Sequence, residues 1–214
     1  MSLVSLVCVF MRVVVITFYP PTLAVKLELS FGFDSDQAAY FYSLETAFAF
    51  VTNLVLIFFP ITSHAQQWNA CALLGTIVGV FLMGPSALLL LPSNIYIMGV
   101  GTALMGTFAQ VLSISSVVCC AESMQQLFPG EDEQISRILG SYRVSLAGLA
   151  LAVSPFFASI IQQVFSYSVL CDTIASILGV VLAGFIWVWR SEQRKTWKKR
   201  DSALTEPLLE EMAE

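Results

Sequence analysis

The chain has 214 residues, of which 57% are apolar and only 12% are charged, and its mean hydropathy is +0.80. Since an ordinary soluble domain carries about 25% charged residues, this composition excludes a soluble globular enzyme, and so much apolar material also excludes a disordered chain. The formal net charge is −5, but residues 1–190 hold 14 charged side chains and residues 191–214 hold 11. This distribution predicts a membrane-embedded body over 1–190 and a solvated tail over 191–214.

Six apolar segments are each long enough for the roughly 20 helical residues that cross a bilayer core. Helices are predicted rather than barrel strands because the apolar residues are continuous and do not alternate. The predicted spans are 5–29, 37–60, 68–90, 95–119, 138–163 and 167–189. Pro20 and Pro21 are expected to interrupt the first span, as prolines in membrane helices can. The sequence therefore predicts an all-α membrane protein with six transmembrane helices.

The basic residues predict the orientation of the chain. Six of the ten basic residues directly follow the last span: Arg190, Arg194, Lys195, Lys198, Lys199 and Arg200. The positive-inside rule places such a cluster in the cytoplasm. With six spans, the N-terminus is then cytoplasmic as well, and Arg12 and Arg137 agree with that placement. We expect an integral, multi-pass protein of the plasma membrane or of a vesicular or endolysosomal membrane, with a cytoplasmic C-terminus.

Glu45 is the strongest functional candidate, because an ionisable side chain inside the membrane is costly. Tyr42 and Thr52 fall on the same side of the predicted helix, and Asn53 borders that side. Thr46 is expected to line the same cavity. Such a polar stripe predicts a pathway for a substrate or a proton, with Glu45 exchanging the proton or binding a cation. The alternative is a structural, hydrogen-bonded acid.

Three further charged residues lie in or near the spans. Arg143 and Asp172 are secondary candidates for the pathway, although Arg143 could also snorkel to the cytoplasmic side and Asp172 could cap a helix or pair with Lys26. Arg12 is interpreted as a flanking residue that snorkels.

Glycine and proline in the spans indicate close packing or bending of helices, because small residues let membrane helices approach. Gly99, Gly101, Gly106, Gly179 and Gly184 belong to the glycine pattern. The residues singled out for packing or bending are Pro20, Pro21, Gly84, Pro85, Gly140, Gly148 and Pro155.

Nothing in the sequence predicts an enzyme. There is no nucleophile elbow, no zinc-protease motif and no phosphate-binding loop. The five cysteines lie in apolar runs without metal-site spacing and are interpreted as packing residues, with palmitoylation of Cys119 or Cys120 as an alternative. We expect no cofactor, no metal and no nucleic-acid partner.

Several short motifs resemble the C-terminal half of a major facilitator superfamily transporter, in particular the vesicular amine and polyamine transporter branch. They are FYPPTLA at 18–24, FGF at 31–33, LMGPSAL at 82–88, Gly140 with Gly148 and Pro155, and TEPLL at 205–209. Pro20 stands where that branch has an acid, which is a departure at the position of cation coupling.

The resemblance implies a fold and a function. The fold would be one six-helix half of a major-facilitator bundle, in which the substrate site lies between two halves. The function would be alternating-access antiport of a small organic solute, in that branch an amine, against protons. The partners would then be the lipid bilayer, the small-molecule substrate, and the missing N-terminal half or a second copy. The alternative is a six-span scaffold or remnant without transport activity.

Overall fold

The computed structural model of the chain describes residues 2–59, 61–84, 86, 92–164 and 166–211. The helices are α1 (Ser2–Phe31), α2 (Ser35–Phe58), α3 (Ala65–Met83), α4 (Ile95–Leu127), α5 (Asp132–Val164) and α6 (Tyr167–Glu211), with a 3-10 turn at Ile61–His64. All six helices are long and apolar enough to cross a membrane. The prediction of an all-α, multi-pass membrane protein is confirmed.

The helices differ from the predicted spans in several places, among them α4, which ends at Leu127 and not at residue 119. α1 continues through Pro20 and Pro21, so the predicted interruption of the first span is wrong. α5 begins at Asp132, before residue 138, because two acids stabilise its first turn. α6 continues far beyond residue 189, so the backbone of the tail is helical up to Glu211. α2 ends at Phe58 and α3 at Met83, before the predicted ends at residues 60 and 90, which themselves lie outside the described residues.

α4 is the centre of the bundle and packs against α1, α2, α3 and α5. α1 also packs against α5, and α6 packs against α3 and α1. In the most apolar part of each span, 56% of the residues of α4 are buried, against 6% for α2 and 18% for α5. α2 and α5 therefore present long faces that this chain alone does not cover.

Glycine permits the closest helix contacts at α3 and α4. A Cβ atom on Gly101 would lie 2.6 Å from the Met83 nitrogen and 2.8 Å from the Gly79 oxygen. At Gly84, which ends α3, a Cβ would lie 2.5 Å from the Cβ of Cys171 on α6. Close packing is therefore a requirement at these two glycines.

Two of the glycines singled out on α5 make no close helix contact within this chain. A Cβ atom on Gly140 or Gly148 would meet no atom within 4 Å, and the same holds for Gly179 and Gly184 on α6. The reason is that these residues face away from the other helices of the bundle. Pro85 and the side chain of Pro155 lie outside the described part of the chain.

A buried amide joins α1, α3 and α4. Asn69 accepts hydrogen bonds from the hydroxyls of Ser115 at 3.0 Å and Ser116 at 2.6 Å, and its Nδ2 donates to Cys8 Sγ at 3.7 Å. Asn69 is fully buried, and neither lipid nor apolar side chains could form hydrogen bonds with its amide. These contacts supply the hydrogen bonds that the buried amide requires. They fix the register of the helices on which the candidate site is built.

Candidate functional site

A chain of polar side chains crosses the bundle from α1 through α4 to α2. Nη2 of Arg12 donates to Oε1 of Gln110 at 3.1 Å, and Nε2 of Gln110 donates to Oδ1 of Asn53 at 2.8 Å. Arg12 lies about 12 Å along the helix from the start of its apolar span at Val4. The Arg12 guanidinium therefore lies well inside the membrane-spanning part, bound to a neutral amide.

Glu45 lies on α2 about 12 Å along the helix from Asn53. Its half-buried carboxylate interacts electrostatically with Arg12 and faces the Tyr19 hydroxyl on α1. Gly106 on α4 makes the position possible, since a Cβ there would lie 2.5 Å from the Glu45 backbone oxygen. The backbone of Glu45 is thus held directly against the central helix, and its carboxylate is directed towards α1.

The Tyr19 hydroxyl is a buried donor beside Glu45. Tyr19 is 0% exposed, and its hydroxyl has no hydrogen-bond partner within 3.5 Å among the described residues. Its nearest carboxylate interaction is with Glu45. A buried hydroxyl without a close partner is costly, and the Glu45 carboxylate is the acceptor that this hydroxyl faces.

Tyr42 joins α2 to the proline pair of α1. Its hydroxyl donates to the Pro20 carbonyl oxygen, and its ring lies edge-on against the Tyr19 ring, with centroids 5.8 Å apart. Since the rings of Tyr19 and Tyr42 lie against each other, the contact ties the position of α2 to that of α1 next to Glu45.

We expect Tyr42→Phe to lower the stability of the folded protein modestly. The change removes one hydrogen bond between helices, and such bonds in membrane proteins contribute about 0.6 kcal/mol on average. The matched control is Tyr40→Phe on the same helix, because Tyr40 is 73% exposed. Thermal unfolding in detergent measures both variants. Equal unfolding temperatures for the two variants would show that the contact with Pro20 does not stabilise the bundle.

Arg143 adds a second positive charge to the same region. Its Nη2 donates to Ser113 Oγ at 3.5 Å, and Ser113 lies one turn beyond Gln110 on α4. Arg143 and Arg12 interact as like charges. Arg143 is exposed in the isolated chain although it lies within an apolar span. We name Arg12, Glu45, Asn53, Gln110 and Arg143 the polar layer.

The other predicted site residues are placed differently. Thr52 is 7% exposed and donates to the Phe48 carbonyl of its own helix. Thr46 is exposed, and with Tyr42 it lines an open groove along α2. Asp172 accepts a hydrogen bond from Ser86 at 2.6 Å, where α6 meets the end of α3. The structure therefore brings Asn53 and Arg143 to neighbouring turns of α4, sets Glu45 about 12 Å from Asn53 along α2, and puts Asp172 at another contact.

The sequence reasoning missed three members of this region and misread a fourth. Gln110, Tyr19 and Ser113 were not predicted, and the interpretation of Arg12 as a snorkelling residue is wrong because its guanidinium bonds to Gln110 inside the bundle. Gln110 could have been identified from the sequence, because it is the only side chain with an amide, acidic or basic group between Ile95 and Cys119.

Within the described residues, no group of three or more His, Cys, Asp or Glu side chains could hold a metal ion. The polar layer consists of two guanidiniums, one carboxylate and two amides. No protein-family model, no curated protein and no solved structure matches this chain. The functional argument consequently depends on the arrangement of the residues themselves.

Proposed function

We propose that the chain is one half of a secondary transporter, which moves a small organic solute across a membrane by alternating access and couples this movement to protons. The observation that carries the proposal is the polar layer, in which two arginines and a glutamate lie within the apolar spans of α1, α2 and α5. The short motifs that resemble the major facilitator superfamily support the same function.

Structural hydrogen bonding alone does not explain the polar layer. A charged residue at the centre of a membrane helix costs about 2.5–3.5 kcal/mol on insertion scales. A hydrogen bond to a charged group returns about 1.5–3 kcal/mol, so the bond from Arg12 to Gln110 can offset much of that cost for Arg12. Arg143 is exposed and its contact with Ser113 is long, at 3.5 Å, so the cost of Arg143 is not offset in this way. Charges at this depth are typical of ion and substrate pathways.

The uncovered faces of α2 and α5 support the second part of the proposal, that this half works with another. Arg143 is exposed on α5 in the isolated chain, and a guanidinium does not suit contact with lipid tails. We propose that the missing N-terminal half or a second copy covers these faces and completes a cavity between two halves. The basic cluster in the C-terminal part of α6, at residues 190–200, supports a cytoplasmic C-terminus in the plasma membrane or a vesicular membrane.

The proposal is tested with the protein purified from its own membranes together with whatever copurifies, and reconstituted into vesicles that contain a pH-sensitive dye. A metabolite extract is added outside. We expect the extract to change the internal pH, because solute movement carries protons, and protein-free vesicles to show no change. A folded, reconstituted protein that moves neither protons nor any solute would favour the scaffold alternative.

A further inference from the structure

We infer that the solute bound by the polar layer is an organic anion, with a carboxylate or phosphate group that the guanidiniums of Arg12 and Arg143 bind. This inference rests on the proposed function and specifies its substrate class. It differs from the amine that the sequence resemblance implies.

The first argument is the charge of the polar layer. Arg12 and Arg143 contribute two positive charges and Glu45 contributes one negative charge, and an arginine does not lose its proton in a protein. The two guanidiniums repel each other. An anion would relieve that repulsion, whereas a cationic amine would add another positive charge next to a single carboxylate.

The second argument is the hydrogen bonding of the two guanidiniums. Each is bonded to a neutral acceptor, Arg12 to the Gln110 amide at 3.1 Å and Arg143 to the Ser113 hydroxyl at the long distance of 3.5 Å. The Nε of Arg12 is buried and has no partner among the described residues. The forked donors of arginine match the paired oxygens of carboxylate and phosphate groups. These donors are therefore available to an anion.

The third argument is access. Arg143 is exposed on the side of α5 that this chain leaves uncovered, while Arg12 is half-buried behind it and bonded to the central helix. A solute that enters between two halves would meet Arg143 first and Arg12 at greater depth. Glu45, beside Arg12, would then carry the coupled proton.

The test measures uptake into vesicles of phosphatidylcholine, a lipid without net charge. A metabolite extract is separated by ion exchange into an anion fraction and a cation fraction, and mass spectrometry identifies what accumulates inside. We expect uptake from the anion fraction only. Arg12→Gln and Arg143→Gln should each lower it about tenfold or more, the effect of losing a charge-assisted hydrogen bond. Arg12→Lys should retain more uptake than Arg12→Gln, since it keeps the charge.

The matched control is Arg137→Gln. Arg137 lies on α5 like Arg143, but it is exposed near the helix start and pairs with Glu133 at 2.7 Å. We expect its uptake to equal that of the unaltered protein. An equal loss of uptake in Arg137→Gln and Arg143→Gln would contradict a specific role for the polar layer.

Four results would overturn the inference. Uptake from the cation fraction alone would refute the substrate class and leave the transport proposal standing. Uptake by folded protein from the whole extract, but from neither fraction, would also refute the substrate class, while movement of no solute from the whole extract would refute transport itself. The fourth result would come from labelling with phenylglyoxal, a reagent that modifies arginine side chains. Protection of Arg12 by added phosphatidylglycerol, and not by the anion fraction, would assign the arginines to lipid headgroups.

Discussion

Replacing Glu45 by Gln is expected to reduce proton-driven uptake to the level of protein-free vesicles. The amide keeps the size of the side chain and an oxygen that can accept hydrogen bonds, but it cannot take up or release a proton at physiological pH. Glu45 is the one carboxylate of the polar layer, with Arg12 and the Tyr19 hydroxyl beside it. Removing its charge should therefore abolish the coupling step specifically.

Two measurements separate loss of coupling from loss of the protein. Exchange of labelled for unlabelled solute in the absence of a pH gradient requires no net proton movement, so we expect Glu45→Gln to retain it. Membrane insertion should also be retained, because a neutral side chain is less costly in the membrane than a charged one. Uptake that still follows the pH gradient in this variant would show that another group carries the proton.

Glu133→Gln is the matched control for Glu45→Gln. Both changes convert a glutamate to its amide, but Glu133 lies in the first turn of α5 and pairs with Arg137 on the surface of the helix. An exposed pair of this spacing contributes only about 0.3–0.5 kcal/mol. We expect the control to couple solute and protons as the unaltered protein does. Loss of coupling in both variants would indicate a general effect of removing acid rather than a role for Glu45.

The six spans could be predicted from sequence because their signal is local. A membrane helix needs a continuous apolar segment of a certain length, and the composition of each segment contains that information. The behaviour of Pro20 and Pro21 could not be predicted in this way, because whether a helix continues through proline depends on neighbouring helices that satisfy the freed carbonyl groups. Pro20 and Pro21 lack the N–H groups that would bond the carbonyls of Ile16 and Thr17, one turn earlier.

The candidate site was only partly predictable, because it depends on contacts between helices. Glu45 was identified since an acid inside an apolar helix is conspicuous in the sequence. Arg12 was misread because its partner, Gln110, lies 98 residues away. The packing role of each glycine depends equally on what lies opposite it, so Gly101 and Gly148 look alike in sequence but differ in the structure. Periodicity identifies a helix, but it does not reveal which helix faces it.

Gly101→Ala is expected to destabilise the protein more than the other substitutions considered, because Gly101 lies where α3 and α4 are in closest contact. The new Cβ would approach the backbone of Met83 and Gly79 within 2.8 Å. Backbone atoms in a helix cannot move aside as a flexible side chain can, so the two helices must separate. Overpacking of this kind costs about 1–3 kcal/mol. For a protein of this size, each kcal/mol lowers the unfolding temperature by about 2–4 °C.

Gly184→Ala provides the control for this prediction, since a Cβ at Gly184 would meet no atom within 4 Å. Alanine is a better helix former than glycine by about 1 kcal/mol, so we expect this variant to unfold at the same temperature as the original chain or slightly higher. Thermal unfolding of both variants in the same detergent measures the difference. Gly101→Ala should also weaken uptake, because α4 carries Gln110 and supports Glu45 through Gly106. If the two variants unfolded at equal temperatures, α3 and α4 would not pack as closely as described.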